Sequence, residues 1–170
     1  LIALGARIEL RRGGQVRELP LEEFFIAYGK QDRAADELLS RIHIPKIQPG
    51  AIVSAEKLSK RFDQDISAVA AGFLVELDKG QVTRARLAFG GMAGTPSRAR
   101  HAEDALTGAS WSAESVGRAA DALDRDFTPL DDLRASAEYR LSGAGAMLRR
   151  FYEASAGPTH RLADLRSLAL

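Results

Sequence analysis

The side chains best able to do chemistry fall in one charged stretch, Lys57-Leu-Ser-Lys-Arg-Phe-Asp-Gln-Asp65. Cations at Lys57, Lys60 and Arg61, acids at Asp63 and Asp65, and the amide of Gln64 between them could present charge to a bound ligand from a loop. The same residues also make an ordinary solvated hairpin, and residue types alone leave both readings open. A second candidate is Gly90-Gly91-Met92-Ala93-Gly94-Thr95-Pro96, between a strand and a helix, where a phosphate-binding loop would lie. It fits neither the Gly-x-Gly-x-x-Gly nor the Lys-Ser/Thr template, and is read as a tight turn.

The remaining polar groups suggest little. His43, His101 and His160 fall in a strand, a helix and a tail without partners at ligand spacing, so no metal site is expected. No Gly-x-Ser-x-Gly nucleophile turn occurs, and no catalytic residue is assigned. Asp121, Asp124, Asp131 and Asp132 read as solvated helix ends and faces, and Arg149-Arg150 as a surface pair.

Composition narrows the class. With 24 basic and 23 acidic side chains in 170 residues the net charge is +1, and a nucleic-acid partner is not expected. The absence of cysteine excludes disulfides, thiolate catalysis and any iron–sulfur cluster held by this chain. No apolar run approaches the ~20 residues of a membrane span, and the cytoplasm is the expected location. The chain begins at Leu1 in a strand-like run, which reads as a segment whose upstream half lies elsewhere.

The positioning elements are read from periodicity and turn residues. Residues 3–10 form a strand, Gly13-Gly14 a turn and Val16–Leu19 the hairpin partner. Pro20 opens a helix over Leu21–Tyr28 that Gly29 stops, a polar loop follows, and Leu38–Ile44 is a strand ended by Pro45. Pro45 to Gly50 is a linker. Three strand-like runs follow, 51–60, 66–77 and 82–89, the last two paired antiparallel through Asp78–Gln81. Val69, Ala71, Phe73, Val75 and Leu77 share one face. Helices are expected from Thr95-Pro96 to Leu106, from Ser112 to Asp126, and from about Ser136 through the Leu141, Ala144, Leu148, Phe151 stripe. Gly143 and Gly145 weaken that last helix unless a backbone packs closely there. Strands first and helices after is the α+β pattern. Val69, Phe73 and Val75 should bury against Leu141, Leu148 and Phe151.

The charged stretch, extended through Ile66-Ser-Ala-Val69, resembles the FAD-binding small subunit of bacterial xanthine dehydrogenase. Leu19-Pro-Leu-Glu-Glu-Phe-Phe25 agrees in order and spacing. So do Ala88-Phe-Gly-Gly-Met-Ala93 with Thr95-Pro96 and Arg98-Ala99, and Asp126-Phe-Thr-Pro-Leu130 with Arg134-Ala-Ser-Ala-Glu-Tyr-Arg140. The resemblance runs from Leu1 to about Ser155.

It implies that residues 1–49 end a PCMH-type FAD-binding domain. Residues 50–156 would form a domain like the C-terminal domain of carbon monoxide dehydrogenase flavoproteins, a three-stranded antiparallel sheet covered by three helices, and 157–170 a tail. In this family, electrons from purine oxidation at a molybdenum centre pass through [2Fe-2S] clusters to FAD and then to NAD. The segment holds none of these centres by itself and is not expected to be active alone. Its implied partners are upstream FAD-binding and iron–sulfur domains, a molybdenum-binding large subunit, and NAD. The resemblance places flavin contacts at Leu39, with Leu38 beside it, and at Lys57. It places an NAD-side loop at Lys60 to Asp65, carrying Arg61, Asp63, Gln64 and Asp65. The family's usual aromatic residue before the lysine is Glu56 here. Two alternatives remain: a subunit of a carbon monoxide- or aldehyde-oxidising relative, or a domain acting only in subunit assembly.

Overall fold

A computed structural model describes residues 1–61 and 64–156 of the chain. The first elements are β1 (Arg7–Arg12), β2 (Gln15–Pro20), α1 (Leu21–Phe24), β3 (Phe25–Ala27), β4 (Lys30–Gln31) and β5 (Leu38–His43). They form a three-stranded antiparallel sheet in the order β2-β1-β5 and a small β3-β4 pair. Ile8, Leu10, Leu19 and Phe24 bury together, with Leu21, Phe25 and Leu39 packed against them. The opposite face carries the polar half of the alternation that a half-buried strand requires.

Two expectations fail in this part. The first strand begins at Arg7, not residue 3. The Gly5 N–H bonds back to the Ile2 carbonyl (2.9 Å) and Gly5 takes φ +72°, so the chain turns here. Ile2 and Ala3 then bury against Ala88. The expected helix over Leu21–Tyr28 is one turn long. The Phe24 carbonyl, which a continuing helix would give to Tyr28, instead accepts the Asp32 N–H (2.8 Å) as the chain doubles back through β3 and β4.

Residues 44–51 contain no strand or helix, as the linker reading expects. Beyond them come β6 (Ile52–Leu58), β7 (Val69–Asp78), β8 (Gln81–Gly90), β9 (Ser97–Arg98), α2 (Arg100–Leu106), α3 (Ala113–Asp121), α4 (Leu123–Asp126) and α5 (Ala137–Ala156). The strands make a four-stranded antiparallel sheet in sequence order, and the fold is α+β as expected, with the short β9 added at one edge. Lys79 (φ 49°) and Gly80 (φ 82°) supply the two positive-φ positions of a tight hairpin turn between β7 and β8.

The helices cover one face of this sheet. Val69, Ala71, Phe73 and Val75 of β7 and Val82, Ala85, Leu87 and Phe89 of β8 share a core with Ala144, Leu148 and Phe151 of α5. Leu141 packs at its margin, so the expected pairing of faces holds. Ring contacts run from Phe127 to Phe89 (5.5 Å), Phe73 (5.5 Å), Phe151 (5.1 Å) and Trp111 (5.8 Å). No backbone packs closely at Gly143: a Cβ there would stand 2.6 Å from Leu58 Cδ2, the far end of a side chain.

Thr95-Pro96 does not open a helix. Ser97 and Arg98 pair with Phe89 and Ala88 as β9, and α2 starts only at Arg100. Its free N–H groups find a distant cap, because the Asp126 carboxylate accepts from His101 N (2.9 Å) and Ala102 N (3.0 Å). The expected helix from Ser112 to Asp126 has its Ser112 cap but breaks at Ala122 into α3 and α4, which lets Leu123 and Phe127 both enter the core. Glu103 of α2 is buried and its Oε1 accepts the Leu87 N–H (2.8 Å), a backbone donor that a longer β9 would have satisfied.

The other face of the four-stranded sheet is covered by the N-terminal part. Ala3 Cβ lies 3.5 Å from where a Gly72 Cβ would be. Arg86 donates to the Ile2 carbonyl (2.7 Å) and to Glu22 (2.6 Å), and Arg98 and Arg100 reach the same Glu22 carboxylate (both 3.1 Å). Arg98 continues to Glu103 (2.6 and 2.9 Å). Burial raises the Glu22 pKa, but the Arg98 hydrogen bond and the Arg86 and Arg98 charges outweigh it, and the carboxyl stays below its ordinary range.

The glycine-rich turn after β8 is occupied by structure. Gly91 has φ +81°, and a Cβ there would collide with the Ala68 carbonyl oxygen and stand 3.1 Å from an Arg140 nitrogen. Arg140, buried on α5, donates to the carbonyls of Ala68 and Gly91 and to Asp132 (2.7 Å). We expect Gly91→Ala to destabilise the chain by at least ~2 kcal/mol, from positive-φ strain together with a backbone collision. Urea unfolding checks this; an unchanged midpoint would refute it.

Candidate functional site

The charged stretch is the connection between β6 and β7. Leu58 pairs with Val69, and the Ala68 N–H closes the loop onto the Leu58 carbonyl (2.8 Å). Along β6 the more buried positions alternate, Ile52, Ser54, Glu56 and Leu58, so Val53, Ala55 and Lys57 belong to the other face. Glu56 accordingly shares the β6–α5 side with Gly143 and Met147, lining a cavity of about 360 Å³. Lys57 Nζ donates to the backbone carbonyl of Asp65, tying strand and loop together.

Asp65 organises the loop. Its carboxylate accepts from the N–H groups of Arg61 (3.1 Å) and Ile66 (3.0 Å), and the Arg61 side chain lies 3.6 Å away. The Arg61 backbone hydrogen bond is the largest influence holding the Asp65 pKa below its ordinary value. Arg61 stays exposed, and Gln64 is exposed with φ 51°. Lys60 donates to the Leu133 carbonyl (2.9 Å), anchoring the loop to the segment before α5. Asp63 lies outside the described residues, as does the expected tail at 157–170 with His160.

Leu38 and Leu39 lie in β5, in the other sheet from Lys57. Leu39 is half-buried against the Ile8–Leu10 cluster, while Leu38 is 68 % exposed and offers an apolar surface. The structure therefore places Lys60, Arg61, Gln64 and Asp65 in one loop, ties Lys57 of β6 to it, and leaves the leucines on a separate element.

Two groupings escape sequence reasoning. His43 Nε2 stands 3.9 Å from Glu9 and 3.7 Å from Glu18, a three-strand cluster that spacing within an element cannot reveal. Arg41 and Arg11 lie within 3.3 and 3.6 Å of Glu9, and Arg7 within 3.6 Å of Glu18. Three guanidinium charges already balance these carboxylates, so the cluster is a poor home for a dication. The second is Arg134, which enters a cavity wall beside the charged loop.

Comparison with known proteins defines the class. Residues 54–155 match the CO dehydrogenase flavoprotein C-terminal domain, and residues 1–47 match the FAD binding domain in molybdopterin dehydrogenase. The chain belongs to the CO dehydrogenase flavoprotein C-terminal domain family, carried behind part of such an FAD-binding domain. It is 32% identical over 137 residues to the xanthine dehydrogenase FAD-binding subunit of Escherichia coli O157:H7, a match covering 80% of this chain and 47% of that protein. It is 34% identical over 155 residues to the nicotinate hydroxylase hnxS of Emericella nidulans, covering 88% of this chain and 11% of that one. Among solved structures, the carbon monoxide dehydrogenase of Hydrogenophaga pseudoflava superposes with a TM-score of 0.83 at 30% identity, over 88% of this chain and 52% of that one. The chain thus spans about half the length of the bacterial subunit and the structure, and about a tenth of the fungal protein. No helix among the described residues is long and apolar enough to cross a membrane.

Proposed function

We propose that this chain is the C-terminal part of the flavoprotein subunit of a xanthine dehydrogenase. In this reading it helps pass electrons from purine oxidation, through iron–sulfur clusters and FAD, to NAD. The observation that carries it is the likeness to a xanthine dehydrogenase FAD-binding subunit over 80% of the chain, bridging both matched domains. The partners are then the upstream FAD-binding and iron–sulfur domains and a large molybdenum-binding subunit, with the cytoplasm as the compartment.

The residues present suit the edge of a flavin and not its pyrophosphate. Leu38 offers exposed apolar surface beside Leu39, and Lys57 offers a cation held to the Asp65 carbonyl. The Gly90–Gly94 turn is no phosphate cradle, because Gly91 is pressed against Ala68 and Arg140. Bound FAD would supply the redox chemistry. Leu39 would pack against its ring system, Lys57 would place positive charge where reduction adds electrons, and Arg61, Asp63, Gln64 and Asp65 would set the charge met by NAD.

The test uses the complete enzyme. We expect xanthine-dependent NADH formation in the parent and weakened FAD retention in Lys57→Ala. Arg61→Glu should change NAD reduction several-fold while leaving FAD content and the rate with a dye acceptor near normal. Dye reduction by carbon monoxide or an aldehyde, with none by xanthine, would favour a carbon monoxide dehydrogenase-type reading, to which the 0.83 TM-score lends weight. Absence of flavin absorbance from the complete subunit would leave only the assembly role.

A further inference from the structure

Two separate sheets carry the side chains proposed to meet the flavin, Leu39 on β5 and Lys57 on β6, and no strand or helix spans the connection at residues 44–51. A connection of that kind cannot fix how the two sheets lie against each other, so non-covalent contacts must. The apolar contact between them is small, Ile2, Ala3 and Ala88 with Leu21 and Phe25 at its margin, and apolar contact is non-directional.

Among the described residues, every salt bridge that joins residues 1–47 to the four-stranded sheet and its helices ends on Glu22. Its Oε2 meets Arg86 of β8 at 2.6 Å, and its Oε1 meets Arg98 of β9 and Arg100 at the start of α2, both at 3.1 Å. Cations from three elements converge on the two oxygens, so the carboxylate is held in direction as well as in distance.

Hydrogen-bonded ladders tie both ends of this clamp to the proposed flavin contacts. On one side, the Leu21 N–H donates to the Ala6 carbonyl (2.9 Å), which seats α1 on the start of β1, and β1 pairs Leu10 with Leu39. On the other, Arg86 pairs with Leu74 and Leu74 with Val53, a row across the sheet on a single face. Lys57 lies further along β6 on that same face. A shift at Glu22 therefore becomes a shift of Lys57 relative to Leu39.

We propose that Glu22 is a positioning residue of the flavin site: by holding Arg86, Arg98 and Arg100 it sets Lys57 against the same flavin on which Leu39 packs. This rests on the reading that the chain borders FAD, and adds a determinant of that site from outside its cofactor-facing residues. Misplacement by about 1 Å can cost ~10²-fold, so a tenfold effect on FAD is the least to expect.

The experiment measures the FAD dissociation constant and the flavin midpoint potential in the complete enzyme. Glu22→Ala should bind FAD at least tenfold more weakly and with a lower potential, because the cation that favours the reduced flavin is displaced. Glu22→Ala with Arg86→Met removes the clamp without stranding a cation. It should behave the same while its urea midpoint returns toward the parent's. Phe73→Ala, destabilised in the core instead, should keep the parental FAD affinity and potential. Adding Lys57→Ala to the double variant should change little more, because that cation is already out of place. Parental affinity and potential in the double variant overturn the proposal. So does equal FAD loss in Phe73→Ala, which would make stability the cause, and so does full additivity with Lys57→Ala, which would mean that Glu22 acts by another route. A parent enzyme without flavin overturns the flavin reading and this inference together, whereas FAD held with parental affinity by both Glu22 variants overturns this inference alone.

Discussion

Replacing Phe73 by alanine should destabilise the chain by ~3–5 kcal/mol, the usual cost of truncating a large ring in a well-packed core. Phe73 is fully buried on β7, and its ring meets Phe89 of β8 at 5.5 Å and Phe151 of α5 at 5.1 Å. Loss of the ring removes apolar burial and leaves a cavity that the sheet cannot close, because β7 is hydrogen-bonded on both sides. Phe73→Leu keeps most of the volume and should lose much less. Urea unfolding of both variants decides the matter; a loss below ~1 kcal/mol for alanine would contradict the placement of this ring.

Removing the Glu22 carboxylate should come next, at about 3 kcal/mol, toward the lower end of the range for breaking a buried ion pair. Glu22 is the acid Arg86 meets, at 2.6 Å, and both side chains are mostly shielded, at 18 and 12 % exposure. Glu22→Ala leaves Arg86 shielded from solvent with only the carbonyls of Ile2 and Ala3, whereas Arg98 keeps Glu103. Adding Arg86→Met should recover much of the loss, because the penalty arises from the stranded cation. The pH dependence follows in sign. Glu22 has a folded-state pKa below its unfolded value, so its contribution is complete above the ordinary glutamate pKa and disappears as pH falls through the folded value. Glu22→Gln should flatten that acid limb; an unchanged acid-unfolding profile would count against the clamp.

Much of the sheet and its helical cover is legible from the chain. Alternation along 69–77 identifies the face that meets the helices, and the 141–151 stripe identifies the helix it meets. Errors occur where distant groups override local signals. Thr95-Pro96 is a good helix opening by residue type, yet Arg98 is drawn to Glu22 and Glu103, and α2 takes its cap from Asp126. Pro20 with two following acids also reads as a helix start, and one turn forms before the Phe24 carbonyl is taken by Asp32. The candidate site is legible only in part. Residue types mark Lys57 to Asp65 as unusual, and only family resemblance relates that stretch to a flavin. The role of Arg140 could not be found by spacing, because the Ala68 carbonyl it holds lies 72 residues away.

The carboxylate of Glu103 has a consequence for how copies of this protein meet. An exposed strand edge is a template on which further strands can add without limit. On the β8 side of the four-stranded sheet that template is largely occupied. Glu103 holds the Leu87 N–H, Ala99 holds the Leu87 carbonyl, β9 covers Ala88 and Phe89, and residues 108 and 109 occupy both groups of Val82. Among the described residues the sheet ends at β6, whose outer side is unpaired over seven residues, and at the two-residue β9. With β9 too short to template a strand, an edge-to-edge encounter through this sheet is directed to β6, where two copies can meet as a symmetric pair.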